Sequence, residues 1–422
     1  MSLTFSTALS GLRANADALG VTGNNIANAN TTAYKAKSIN FADVFHDSLS
    51  AKLNGAGLAV QIGSGVQAVG TTTNFTQGSL DETGSTLNAG LRGNGYFVVS
   101  SRNGDTAYTR AGDLALDKDG QLVTSTGGLV QGYQAVNGVV PPGAPLTSLQ
   151  VPLGQFANPV VTSNASFHMN LSSTDAVTSA FHAPVEVHDS LGVAHTLDLI
   201  YTKTADGAYT VTATLDGNAS QVSIDGGAAG ASGNLTFDSN GQLTAPNTLA
   251  IVPDQTQLAG ATLPSINIAL YELNADGTNG KSLLTNYNAT SAVTATEQNG
   301  FASGTLAGLS FSPKGDGMLV AVYSNGQSRT VGQVALATFN SQEGLSRLGD
   351  NLYGQTVASG APSVGAAGTG GRGEVIGGVL EQSNVDIATE FTDLIVAQRG
   401  YQANSRVITT INQTLQDVIQ II

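Results

Sequence analysis

Five histidines, His46, His168, His182, His188 and His195, are the side chains here best suited to proton transfer or metal ligation. Three of them fall within fourteen residues, and neutral imidazole is the commonest metal ligand. His188 and His195, however, straddle Asp189-Ser190-Leu191-Gly192, which reads as a hairpin turn, and no carboxylate stands at a recognised metal spacing. They are expected to be ordinary strand histidines. Two further stretches, Asp117-Lys118-Asp119-Gly120 and Asp238-Ser239-Asn240-Gly241, could each open a calcium loop, which needs a bidentate Glu at its twelfth position. That position holds Gly128 in the first and Leu249 in the second, so both read as turns in which Asp bonds nearby backbone and Gly accepts positive φ. Gly63-Ser64-Gly65-Val66-Gln67-Ala68 imitates a dinucleotide fingerprint, with Asp81 downstream, but no helix pattern follows to aim its N-terminus at a pyrophosphate. A strand turn is expected there. No Ser-His-Asp constellation is legible and no Gly-x-Ser-x-Gly elbow occurs. The expectation is therefore no catalysis, no cofactor and no metal.

The totals narrow the class further. The 422 residues include 52 Gly, no Trp and no Cys, and only 11% are charged. A net charge of −14 argues against nucleic acid, which needs a basic footprint, and against an anionic membrane surface. Without cysteine there are no disulfides, thiolates or Cys-based zinc sites. No run of eighteen apolar residues exists, so no membrane-spanning helix is expected. Met1 to Gly20 lacks the basic start and continuous apolar core of a signal peptide, so export, if it occurs, is expected to keep the first residues.

The elements that stand out are at the two ends. Ile387, Phe391, Leu394, Tyr401, Ile408, Leu415, Ile419 and Ile422 recur at steps of three and four or their sum, with polar Gln398, Ser405 and Asn412 filling the gaps. That spacing draws an apolar seam along an under-wound helix, widened by a second row at Ile411 and Val418. Phe5, Leu9, Leu12, Ala16, Leu19, Gly23 and Ile26 repeat the pattern in a helix expected over about 4–28. Residues 1–28 carry only Arg13 and Asp17 as charges, whereas a two-helix hairpin in water usually has a charged outer face. An intramolecular pair remains open on the seam alone; the low charge favours helices surrounded by further copies.

Between the helices the pattern is β. Residues 29–73 read as a linker with an extended hairpin, carrying Gly55, Gly57, Gly63, Gly65 and Gly70 and alternating Leu58, Val60, Ile62, Val66 and Val69. Short apolar runs such as Tyr96 to Val99 suggest a core β domain over 74–155, bounded by Pro141, Pro142, Pro145, Pro152 and Pro159. An inserted β-sandwich or barrel-like domain is expected over 156–293, where Tyr209, Val211, Ala213 and Leu215 alternate with threonines. It holds two basic residues against eleven acidic ones, or −9 of the −14. The core domain resumes over 294–380, with Ala358 to Gly373 expected as a flexible surface loop, and the C-terminal helix region is 381–422.

The motifs at both ends resemble those of the bacterial flagellar rod and hook axial proteins. Ser10-Gly11-Leu12, Asn24-Asn25-Ile26-Ala27-Asn28, Tyr34-Lys35 and Phe41-Ala42-Asp43 are similar to that family's N-terminal signature. Ser383-Asn384-Val385-Asp386, with Ala397-Gln398-Arg399 and Tyr401-Gln402, is similar to its C-terminal one. Gly93-Asn94-Gly95-Tyr96-Phe97, Tyr108 to Gly112, Glu297 to Phe301 and Gly332 to Ala337 resemble its core domain. The insertion and size fit hook members better than the shorter distal rod ones; a distal rod protein is the alternative, and a secreted β-rich adhesin a remoter one. The resemblance implies a mainly β protein whose two long terminal helices form a coiled-coil assembly domain. It also implies a homopolymeric hollow tube with an export channel, at the hook of the extracellular flagellum. Partners implied are adjoining rod and hook–filament junction proteins, a hook cap and an export chaperone or apparatus.

Overall fold

The computed structural model describes residues 2–46, 62–101, 104–225, 232–258, 260–274 and 279–421. Helices α1 (Ser2–Ala27) and α2 (Ile387–Ile421) stand at the two ends of the described chain, with short strands between. α1 stops in its asparagine cluster, where Nδ2 of Asn28 donates to the Asn24 carbonyl at 2.9 Å and the chain turns through Ala33 at a φ of 56°. α2 starts on Asp386, whose Oδ1 accepts the N–H groups of Ala388 at 2.9 Å and Thr389 at 3.2 Å. Two of the four donors that a first helical turn leaves free are thereby satisfied.

After α1, strand β1 (Lys37–His46) pairs antiparallel with β2 (Ile62–Thr73), with register shifts at Asn40/Phe41 and Asp43/Phe45. The expected hairpin is present. Its tip, with Gly55, Gly57, Leu58 and Val60, lies outside the described residues. Gly63-Ser64-Gly65 is not a turn, as its composition suggested, but part of β2 itself. Only glycine suits position 65 of this strand, where φ is 112° and a Cβ would fall 2.0 Å from Oγ of Ser10 on α1.

The chain divides into two compact units. The first comprises residues 1–153, 309–321 and 329–422. Its main sheet runs through the strands Ser328–Thr338, Leu129–Gln134, Tyr96–Ser100, Thr106–Thr109, Leu352–Gly354 and Ser346–Gly349 in that spatial order. Tyr96, Tyr108, Phe339 and Tyr353 stack edge-on at its core, with ring centroids 4.8–6.0 Å apart. Ala358 to Gly373, expected as a flexible loop, instead contains the strand Ser363–Ala366, paired with Ala335 to Thr338. Small side chains there allow close pairing as well as flexibility, and composition could not separate the two.

The second unit comprises residues 154–308 and 322–328. The insertion thus extends well past the expected 293, because the strand Ala292–Gln298 pairs along Asn164–Asn170 rather than returning to the first unit. Two sheets, one of six strands and one of five, share a single apolar core that includes Phe167, Leu199, Tyr201, Val211, Leu249 and Ile268. The strand Ala208–Leu215 buries Tyr209, Val211, Ala213 and Leu215 and leaves its threonines half-exposed. The two Asp-Gly loops are tight turns, as expected. Asp117 Oδ1 accepts the N–H groups of Asp119 and Gln121, Asp238 Oδ1 those of Asn240 and Gln242, and Gly120 and Gly241 take φ of 75° and 72°.

Candidate assembly site

The residues flanking the two helices form a buried polar clasp. Asn25, 1% exposed, holds the backbone of Lys37 from both sides: its Nδ2 donates to the Lys37 carbonyl at 2.7 Å, and its Oδ1 accepts the Lys37 N–H at 3.0 Å. Nδ2 also donates to Oε1 of Glu390 on α2 at 2.9 Å. The Tyr34 hydroxyl donates to Asn24 at 2.8 Å and lies 3.2 Å from Oδ1 of Asn25. Asn384 makes the matching contacts from the other end. Its Oδ1 accepts the Ala36 N–H at 2.8 Å, and its Nδ2 donates to the carbonyls of Asn74 and Thr76. An amide side chain can do this because it carries donors and acceptors together.

Beneath the clasp lies a charged triad. Glu381, fully buried, bonds Nζ of Lys35 through Oε1 and Nε of Arg110 through Oε2, the latter at 2.9 Å. Lys35 Nζ also donates to the Thr76 carbonyl, and Arg110 Nη2 to that of Gly93, both within 2.9 Å. Burial pushes the Lys35 ammonium below its ordinary pKa, against the pull of Glu381. It pushes Glu390 and the Tyr34 hydroxyl up. The segment after α1, the core sheet and the strand before α2 are therefore held at one point. A buried triad of this kind fixes geometry more than it adds stability.

α1 and α2 then run side by side and antiparallel: Gly11 meets Asn404, Asn15 meets Gly400 and Asn25 meets Glu390. At the crossing the contact is reciprocal. Asn15 Nδ2 donates to the Gly11 carbonyl at 2.7 Å and its side chain faces Gly400, where a Cβ would come within 2.5 Å of it. Asn404 Nδ2 donates to the Gly400 carbonyl at 3.0 Å and faces Gly11, where a Cβ would come within 2.9 Å. Of these four residues only Gly11 stood in a motif picked out from the sequence, although the repeat Gly-x-x-Ala-Asn at Gly11 to Asn15 and Gly400 to Asn404 was there to find.

The seam residues are placed differently from the small residues. Leu9, Leu12, Leu19 and Ile26 on α1 and Leu394, Ile408 and Ile411 on α2 are half-buried. Phe5, Ile387, Phe391, Tyr401, Leu415 and Ile419 are exposed, Phe391 at 50% and Ile419 at 72%. Ile395, Val396 and Val407, which were not assigned to the seam, are exposed too. The fully buried positions are Ala8, Ala14, Thr22, Asn25 and Ala397. α1 is also flanked by the hairpin, where Oγ of Ser10 accepts the Val66 N–H at 3.2 Å. So the helices do have intramolecular partners, through small and polar residues, while much of the apolar seam stays uncovered. The 35-residue α2 outruns the 26-residue α1. Ile422 and the side chain of Val418 lie outside the described residues. Of the signature residues, Asn24, Asn25, Asn28, Ser383, Asn384 and Asp386 all make hydrogen bonds at the clasp or its flanks. Gln398 and Arg399 are exposed on α2, Ile26 and Ala27 end α1, and Val385 lies in the segment before α2.

Among the described residues no group of His, Cys, Asp or Glu could hold a metal ion, and no helix is long and apolar enough to cross a membrane. His188 and His195 do flank a turn, and His195 is engaged by carboxylates: Nδ1 lies 2.8 Å from Asp216 and Nε2 3.3 Å from Asp189.

Comparison with known proteins gives four matching family models: "Flagella basal body rod protein" at 5–35, "Flagellar hook protein FlgE/F/G D1 domain" at 90–170, "Flagellar basal body protein FlaE D2 domain" at 157–301, and "Flagellar basal body rod FlgEFG protein C-terminal" at 376–421. The chain is 34% identical to the flagellar hook proteins FlgE of Salmonella typhimurium and of Escherichia coli K12, each over 99% of this chain and all of theirs. It is 30% identical to that of Treponema pallidum over 98% of both. A crystal structure of Helicobacter pylori FlgE2 is similar at a TM-score of 0.49, with 14% identity over 72% of this chain and all of that one.

Proposed function

From a chain that belongs to the flagellar hook protein family, a structural rather than an enzymatic one, we infer a subunit that polymerises through its terminal helices into the hollow, flexible flagellar hook. The observation that carries this reading is the uncovered apolar seam on a helix pair otherwise firmly tied down. Ile387, Phe391 and Ile419 each expose about half or more of their surface. Covering each such side chain is worth roughly 1 kcal/mol, and because the helices are already paired within one chain, several such contacts per neighbour act on association rather than on helix formation. Repeated head-to-tail contacts that do not close generate an open helical polymer. The helix pairs pack as a coiled-coil layer lining a central export channel, and the acidic inserted unit carries the tube's solvent-facing charge.

This subunit acts outside the cell as a universal joint between rod and filament, and it adjoins rod and junction proteins, a cap and an export chaperone. Negative-stain microscopy of the purified protein at rising concentration is expected to show hollow tubes. Leu394→Asp and Ile408→Asp, which place a charge on half-buried seam positions, are expected to leave both β units folded and abolish the tubes. Normal tubes from either variant would overturn the reading.

A further inference from the structure

Beside the clasp, a cavity of about 470 Å³ opens among the end of α1, the start of β1 and residues 347–353. Lys37 and Arg347 both line it, together with Asn24, Asn28, Thr31 and Asn351. Both cations are held in place. Asn25 bonds the Lys37 backbone on both its N–H and its carbonyl. The Arg347 guanidinium lies 5.7 Å over the Tyr34 ring and 5.7 Å over that of Tyr353, and its Nη2 donates to the Lys35 carbonyl at 2.9 Å.

Neither cation is neutralised. Asp350 also lines the cavity, but among the described residues no carboxylate comes within salt-bridge distance of either cation. Burial, reinforced by the nearby Arg347 charge, lowers the Lys37 pKa, as expected for two like charges beside one cavity. Elsewhere in this chain Lys35, Arg92, Arg110, Lys118 and Lys203 are ion-paired.

We propose that this cavity is a carboxylate receptor, and that in the assembled protein it takes an Asp or Glu side chain from a second copy of this chain. The assignment rests on the polymer reading above. Arg347 offers a planar donor edge and Lys37 a point charge, a pairing that suits a carboxylate, while the side-chain amides of Asn24 and Asn28 can complete its hydrogen bonding. Charge complementarity selects the occupant. With 30 acidic residues against 16 basic ones, a neighbouring copy is rich in carboxylates, and two unspent cations sit on the unit that carries the assembly helices.

The test is carbodiimide cross-linking of tubes grown from a mixture of ¹⁵N-labelled and unlabelled protein, followed by mass spectrometry, alongside the assembly threshold of Lys37→Gln. The expected result is an amide between Lys37 of one isotopic form and an Asp or Glu of the other, absent from dilute monomer. The Lys37→Gln threshold is expected to rise roughly tenfold, the order for losing one charge-assisted hydrogen bond, with unfolding temperature unchanged. A link only to Asp350 of the same chain, or an unchanged threshold, overturns the receptor while leaving polymerisation intact. Lys37-dependent promotion of assembly by inorganic phosphate also overturns it, since the occupant is then a free anion. Absence of tubes from the wild type defeats the polymer reading, and the receptor with it.

Discussion

Replacing Glu381 by Gln isolates the energetics of the clasp. In the native protein two cations and one carboxylate, each 3% exposed or less, share a site that carries one net positive charge. Glu381→Gln keeps the shape but leaves Lys35 and Arg110 buried with no counter-charge. Breaking a buried pair in this way costs about 3–5 kcal/mol. For a domain of this size that is a fall of about 6–20 °C in melting temperature. Lys35→Met is the informative contrast. It leaves a neutral Arg110–Glu381 pair, and the Thr76 carbonyl keeps its bond from Asn384 at 3.0 Å. Its cost is expected to stay under about 2 kcal/mol. Calorimetry gives the melting temperatures, and hydrogen exchange locates the change: peptides from Tyr96–Ser100 lose protection, whereas those from Ala208–Leu215, in the other unit, do not. The reasoning fails if Lys35→Met is as damaging as Glu381→Gln, or if Glu381→Gln melts within about 2 °C of wild type.

Two other perturbations test separate parts of the molecule. Gly400→Leu places a side chain where a single Cβ already comes within 2.5 Å of Asn15, so it should cost about 1–3 kcal/mol and expose α1 to hydrogen exchange, although Leu is the better helix former; undiminished α1 protection would refute the close crossing. In the inserted unit, burial lowers the His195 pKa, but its bonds to Asp216 and Asp189 more than reverse this and hold it above its ordinary 6.5. Burial raises both aspartates, but backbone and His195 hydrogen bonds outweigh it and hold them below 3.8. The histidine's contribution is therefore complete below pH 6.5 and lost as pH rises through its raised folded value, while that of the aspartates is present above pH 3.8 and lost as pH falls through their depressed ones. The unit should be most stable between about pH 4 and 6.5, and His195→Gln should flatten the alkaline side of the calorimetric profile.

Much of this architecture was legible because local chemistry and global role agree. The alternating Tyr209 to Leu215 read as a strand with one buried face and are one. What escaped was where local pattern carries no sign of partner. The strand Ala292–Gln298 looks like any other, and only its pairing with Asn164–Asn170 assigns it to the insertion. The clasp residues resembled a family signature, but their geometry depends on Asn25 and Asn384, which lie far apart in sequence and bond the adjacent backbone groups of Lys37 and Ala36. No spacing rule announces such a contact.

The helices teach the most. A heptad of large apolar residues suggests that those residues form the contact, yet α1 and α2 meet through Gly11, Asn15, Gly400 and Asn404, with Ala8, Ala14 and Ala397 buried beside them. Small residues permit close backbone approach, and an asparagine bonded to the carbonyl four residues back presents a compact face to the opposing glycine. If the large side chains were used up inside one chain, the pair would be finished and would have no reason to associate. Joining the two helices through small and polar residues keeps Phe5, Phe391, Tyr401, Leu415 and Ile419 of that heptad available. The heptad therefore marks the surface that remains to be covered, and the Gly-x-x-Ala-Asn repeat marks the one already closed.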